Sequence, residues 1–158
     1  TGALNRKGLD EALVREIAEV RRRETPLCFA LLDIDNFKKL NDARGHDTGD
    51  AALNHLVAVT RESMRAQDTL ARYGGEEFVI LLGNTSSAAA EERAELIRSS
   101  IESHAYMYEG KRIPVTASVG IAELDSSFES AQSLLKAADK ALYAAKSGGR
   151  NRVVISGR

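Results

Sequence analysis

Leu70-Ala71-Arg72-Tyr73-Gly74-Gly75-Glu76-Glu77-Phe78-Val79-Ile80-Leu81-Leu82 reads as two short apolar strands hinged at a pair of glycines. The downstream arm is strongly β-prone, the upstream arm is shorter and partly apolar, and Gly74-Gly75 falls where a tight hairpin turn needs positive φ. Two carboxylates, Glu76 and Glu77, follow the glycines directly. Acids at an exposed turn can be solvated surface charge, and acids on a rigid turn can also hold a cation. The hairpin alone leaves both readings open.

A second acidic segment bears on that choice. Residues 27–35, Leu-Cys-Phe-Ala-Leu-Leu-Asp-Ile-Asp, form a nearly continuous apolar run that ends in two aspartates, the pattern of a buried central strand delivering side chains to a sheet end. Asp33 and Asp35 share a face if the strand persists that far. Asp35 precedes a short predicted helix and can serve as its N-cap, whereas Asp33 has no such role and is the better ligand candidate. Carboxylates from a strand end and a neighbouring turn suit Mg²⁺, which takes one or two of them and completes its shell with water and substrate phosphates.

Read outward from these segments, the chain predicts helix 6–23, strand 27–34, helix 36–43, a loop with two glycines, helix 49–65, strands 69–73 and 78–82, helix 87–103, strand 114–123, helix 130–147 and strand 152–156. Ala51, Leu53, Leu56, Val57 and Thr60 give the third helix an apolar face. Leu134, Leu135, Ala138, Ala141, Leu142 and Ala145 give the last a wide stripe, and both sets are core positions. The embedded β-α-β-β-α-β order is ferredoxin-like: an α+β sandwich with a mainly antiparallel sheet flanked by helices. In that topology the first strand neighbours the central hairpin, which brings Asp33 alongside Glu76 and Glu77.

The chain has 158 residues and a formal net charge of −1, so it fits one domain with a substantial core and lacks a general nucleic-acid surface. Cations for a polyphosphate must be concentrated locally, at Lys38, Lys39, Lys146 and Arg150. Aromatic residues make up only 5% of the chain, and glutamates stand where an RNA-binding sheet would stack bases. Cys28, within the apolar strand, is the one cysteine and reads as a small buried hydrophobe. Neither a signal peptide nor a membrane-spanning apolar run is visible, so the expected compartment is cytoplasmic, with no direct membrane contact by this domain. Starting at Thr1 without a methionine, the chain is expected to be a piece of a longer sensor protein, with any membrane anchor in the part beyond it.

Five segments in order resemble the GGDEF domains of bacterial diguanylate cyclases. They are Thr1-Gly2-Ala3-Leu4-Asn5-Arg6, then Asp33-Ile34-Asp35-Asn36-Phe37-Lys38-Lys39-Leu40-Asn41-Asp42, then Gly45-His46-Asp47-Thr48-Gly49-Asp50, the Gly-Gly-Glu-Glu-Phe turn, and Ala138 to Lys146 with Gly149-Arg150-Asn151. The resemblance spans residues 1–158 as a single catalytic domain and implies a palm-like fold. It implies condensation of two GTP into cyclic di-GMP with loss of two pyrophosphates, dependent on Mg²⁺ or Mn²⁺. Asp33, Glu76 and the Ile34 carbonyl are the implied metal ligands, and Glu77 shares the metal or helps deprotonate the nucleophile. Asn41 and Asp50 are implied to bind guanine, with Lys38, Lys146, Arg150 and the backbone amides of Asn36 and Phe37 on the phosphates. Because each domain holds one GTP, the resemblance implies a homodimer for activity, brought together by an upstream sensor or receiver domain.

Arg65-Ala66-Gln67-Asp68 stands where the family's product-binding Arg-x-x-Asp inhibitory motif lies, and Arg65 and Asp68 are its implied ligands. Leu96 occupies a helix position where related sequences often carry arginine, with Arg93 and Arg98 as nearby substitutes. Two other readings use the same features: a catalytically silent module that binds GTP or cyclic di-GMP, and a purely structural dimerisation domain.

Overall fold

A computed structural model describes residues 2–104, 106–124 and 130–157; Thr1, the first residue of the opening segment, lies outside them. In chain order the elements are α1 (Arg6–Arg23), β1 (Leu27–Ile34), α2 (Phe37–Arg44), α3 (His46–Glu62), β2 (Thr69–Arg72) and β3 (Glu77–Gly83). They continue with α4 (Ser87–Ser103), β4 (Met107–Tyr108), β5 (Lys111–Arg112), β6 (Ala117–Leu124), α5 (Ala131–Ser147) and β7 (Val153–Ile155).

The apolar run of β1 is buried along its whole length because it is the central strand of a five-stranded sheet ordered β2-β3-β1-β6-β7. All pairings in that sheet are antiparallel except β6 with β7. This is the expected ferredoxin-like order, extended at one edge by β7. Side-chain alternation along β1 divides the core between two faces. Cys28, Ala30, Leu32 and Ile34 pack with residues of α3 and α4, while Leu27, Phe29 and Leu31 pack with residues of α1 and α5. Cys28 is fully buried, and its thiol donates to the Thr85 carbonyl at 3.2 Å. Burial, and secondarily the Glu123 charge, push that thiol up to about 12.

Helix α5 lies directly on β6 at Gly120, where an added Cβ would sit 2.2 Å from the Leu142 nitrogen and 2.3 Å from the Ala138 oxygen. That contact seats α5 low enough for Lys146, near its end, to reach β1. No helix among the described residues is long and apolar enough to cross a membrane.

Besides the glycine turn, where neither Gly74 nor Gly75 takes the expected positive φ, two regions depart from the sequence reading. The expected two-glycine loop does not exist: α2 and α3 are separated by Gly45 alone (φ 91°), and Gly49 is buried inside α3. Glycine is a poor helix former, but a Cβ at position 49 would lie 1.7 Å from Asn41 Oδ1 and 3.1 Å from Phe37 Cζ. The residue marks close packing of two helices, not a break. Second, the strand expected over 114–123 begins only at Ala117, and a small β4–β5 hairpin precedes it. Glu109 and Gly110 both have positive φ, 51° and 77°, as a two-residue primed turn requires.

Candidate functional site

Register fixes the carboxylate cluster. Asp33 pairs with Glu77 across the β1–β3 ladder, so the penultimate residue of β1 and the first residue of β3 put their carboxylates side by side, with Glu76 in the adjoining turn. Asp33 is 1% exposed. Lys146 donates to its Oδ2, and its Oδ1 is buried with no hydrogen-bond partner. Burial raises the Asp33 pKa to about 6; Lys146 opposes the rise and the charges of Glu76 and Glu77 add to it. Glu77 is likewise raised, first by burial, against Lys146 and with help from Asp139 and Glu76.

Asp35 plays neither of the parts open to it in the sequence. The N-cap of α2 is Asn36, in a left-handed conformation (φ 57°) with no side-chain cap bond. The Asp35 carboxylate instead accepts from Thr116 Oγ1 at 2.7 Å, Ser118 Oγ at 2.6 Å and the Asn151 amide at 2.9 Å. It locks the β1 end to β6 and to the segment after α5, leaving Asp33 as the carboxylate with an open oxygen.

An orphaned buried oxygen beside two further carboxylates, with raised proton affinity, fits a hard divalent cation. Among the described residues no three His, Cys, Asp or Glu side chains are grouped so as to hold a metal ion. A cation here would therefore take few protein ligands and finish its shell on water and phosphate.

The remaining implied site residues gather on α2, α3 and the end of α5. Helix α2 opens three residues after β1, so its first-turn amides, from Phe37 onward, have no intrahelical acceptor and lie close in sequence to Asp33. Asn41 lies across Gly49 with its Oδ1 buried and unpartnered, and the exposed Asp50 follows Gly49 on α3. Lys38 is exposed in the first turn of α2, and Arg150 is exposed beyond α5 in a left-handed conformation (φ 64°). Among the described residues no hydrogen bond joins either side chain to the carboxylates; Lys146 is the cation that reaches them.

At the opposite end of β3 stands a second constellation. Arg65 makes a forked contact with Asp68, Nη2 to Oδ1 at 2.8 Å and Nε at 3.2 Å, and Asp68 Oδ2 accepts the Arg65 amide at 2.9 Å. Arg65 Nη2 also donates to Thr85 Oγ1 at 2.7 Å and the Gly83 carbonyl at 3.3 Å. An open cavity of about 280 Å³ beside it is lined by Arg65, Leu82, Thr85, Ala89, Glu92, Arg93 and Leu96. Arg93 is thus in the cavity wall, whereas Arg98 is engaged with Glu95, Glu102 and Asn151.

Sequence reasoning missed the supports: Thr116 and Ser118 behind Asp35, Thr85 behind Arg65, and Gly49 beneath Asn41. Gly49 carried a signal, since a glycine between two helical patterns marks a close approach as readily as a turn. The threonines and serine carried none, because their partners are distant in sequence.

A sequence profile described as diguanylate cyclase, GGDEF domain, matches residues 1–152. Diguanylate cyclase A of Treponema denticola is 47% identical over 135 residues, covering 85% of this chain and 36% of that protein. Diguanylate cyclase DosC of Escherichia coli K12 is 39% identical over 156 residues, covering 98% and 34% respectively. This chain therefore spans about a third of the length of these curated relatives. Among solved structures, the GGDEF domain of DgcB from Caulobacter crescentus in complex with c-di-GMP superposes with a TM-score of 0.94 at 37% identity, covering all of this chain and 94% of that one. The active GGEEF domain of a diguanylate cyclase from Vibrio cholerae gives 0.91 at 33% identity, covering 98% of each chain.

Proposed function

The chain belongs to the GGDEF, diguanylate cyclase family, and from that premise we propose that residues 1–158 form a catalytic domain condensing two GTP into cyclic di-GMP and two pyrophosphates. The observation that carries this reading is the buried, unpartnered Asp33 Oδ1 beside Glu76 and Glu77. Asp33, Glu76 and the Ile34 carbonyl would hold Mg²⁺ or Mn²⁺, which when bound supplies charge neutralisation at the reacting phosphate and acidifies the attacking 3′-hydroxyl.

The chain's own groups divide the remaining work. Asp50 accepts from the N1–H and exocyclic amine of guanine and Asn41 completes the base contact, a donor pair that adenine lacks. Lys38, Arg150 and the amides of Asn36 and Phe37 orient the triphosphate. Lys146 neutralises Asp33 in the ligand-free chain and turns to the phosphates once they arrive. Glu77, with its raised proton affinity, takes the 3′-hydroxyl proton. One domain holds one GTP, so two copies must face each other, and an upstream regulatory domain would set how often they do. Cyclic di-GMP bound at Arg65 and Asp68, with Arg93 as the nearby cation in place of Leu96, would inhibit from a distance.

Incubation with GTP and Mg²⁺ at high protein concentration, followed by chromatography, is expected to give cyclic di-GMP that vanishes with EDTA. GTP binding without product would reduce the chain to a silent binding module, and no binding at all to a structural one.

A further inference from the structure

The segment before α1 lies along the outer edge of β2. The Leu4 amide donates to the Leu70 carbonyl at 3.0 Å and the Arg72 amide to the Leu4 carbonyl at 2.7 Å, forming a parallel bridge between Leu4 and Ala71. That bridge delivers Arg6, the first residue of α1, to the mouth of the glycine turn. Its guanidinium carbon lies 4.0 Å from the centre of the Tyr73 ring, and its Nη1 donates to the Tyr73 carbonyl at 3.3 Å.

Arg72 takes the next two carbonyls, Gly74 through Nε at 3.2 Å and Gly75 through Nη2 at 2.6 Å. Three successive peptide carbonyls are thus held by two guanidiniums, while on the inner side the Tyr73 and Gly74 amides both donate to the Glu77 carbonyl, at 2.8 and 3.2 Å. Arg6 is badly placed for its own helix: a cation in the first turn opposes the dipole, and that turn contains no acidic residue. The contacts with Tyr73 are what favour it there.

We propose that Arg6 is a positioning residue for the carboxylate turn, a strut that stacks on Tyr73 and holds its carbonyl so that Glu76 and Glu77 are presented at a fixed angle to Asp33. The effect on rate rests on the cyclase reading; the strut itself does not. Arginine suits the task because its planar head can stack on a ring and donate in its own plane at the same time. Two consecutive glycines leave the turn loose without such restraint, and small misplacements of catalytic groups are costly. The guanine contacts at Asn41 and Asp50 belong to α2 and α3, so the strut should act on turnover and not on nucleotide affinity.

The test compares Arg6→Ala, Arg6→Lys, Tyr73→Leu, Tyr73→Phe and the Arg6→Ala/Tyr73→Leu pair in the whole chain. Arg6→Ala and Tyr73→Leu should each lower kcat about tenfold while KM for GTP stays within about twofold. The pair should be no worse than either alone. Tyr73→Phe, which keeps ring and carbonyl, should match the parent, and Arg6→Lys should recover part of the loss. Hydrogen exchange at the Tyr73 and Gly74 amides, measured without nucleotide or metal, should quicken about tenfold in Arg6→Ala and slow again in Arg6→Lys. Unchanged exchange overturns the strut whatever the activity shows. Quickened exchange with parent kcat would confine it to local stability and overturn its positioning role. A parent that makes no cyclic di-GMP sinks the cyclase reading instead, and the exchange comparison then decides the strut alone.

Discussion

Glu76→Gln keeps the shape of the side chain and removes one charged oxygen from the proposed metal site. Cyclase activity is expected to fall below about a tenth of the parent, roughly 1.4 kcal/mol in barrier, with an unchanged melting temperature; steady-state kinetics beside a thermal melt checks both. Asp33 makes an opposite trade. Its carboxyl is raised to about 6 from 3.8, so between about pH 4 and 6 the folded state binds more protons than the unfolded one. Its contribution to stability is therefore full below about pH 4 and is lost as the pH climbs through about 6. In the metal-free protein, Asp33→Asn should raise the melting temperature at neutral pH by roughly 2–4 °C or more, because partly exposed Lys146 can return to solvent. It should also flatten the pH dependence of melting over that window. An unchanged curve would mean that Lys146 fully compensates the buried charge. The placement of Asp33 beside Glu77 was legible because a carboxylate closing an apolar run marks a strand end in the sheet. Asp35 was not, since Thr116, Ser118 and Asn151 converge on it only in space.

Most elements could be read because each had its own local cause. The run Leu27–Ile34 is apolar throughout, α1 starts at an Asn5 cap that accepts from Gly8 at 2.8 Å, and α4 starts at a Ser86 cap. The α2–α3 junction failed because Gly49 answers to Asn41, not to its chain neighbours. Gly49→Ala is therefore a test of an element contact. The added methyl improves intrinsic helix propensity yet must displace the Asn41 amide. GTP affinity, measured by calorimetry, should weaken about tenfold while α3 keeps its helical content by circular dichroism. Parent-like affinity would show that the two helices separate freely and that Asn41 does not depend on their spacing. The β4–β5 hairpin went unread for a different reason: Glu109 is a rare choice for a left-handed turn position, so no Asn-Gly or Asp-Gly signal marked it.

At the level of the whole molecule, β3 carries Glu77 at one end and, at the other, the Gly83 carbonyl held by Arg65. Six residue steps of strand separate the two, about 20 Å, so a ligand at Arg65 cannot overlap a nucleotide at the carboxylates. Arg65→Ala should relieve inhibition by cyclic di-GMP and leave initial turnover at low product intact, an allosteric signature. Product binding by calorimetry that survives the substitution would leave Arg65 as a forked surface ion pair with Asp68. On the two-copy reading proposed for catalysis, specific activity should also climb with protein concentration in parent and variant alike.

The buried Cys28 turns the central strand into a reporter of how often the fold opens. Its sulfur has no surface, and its thiol resists ionisation at any ordinary pH, so an alkylating reagent can modify it only through molecules in which β1 has parted from its neighbours. The modification rate thus measures an opening equilibrium without any denaturant. Its hydrogen-bond acceptor is the carbonyl of Thr85, the residue whose hydroxyl meets Arg65. Occupancy of the distant cavity by cyclic di-GMP should therefore register as slower labelling at the middle of the sheet, a clock for regulation written in the chain's single sulfhydryl.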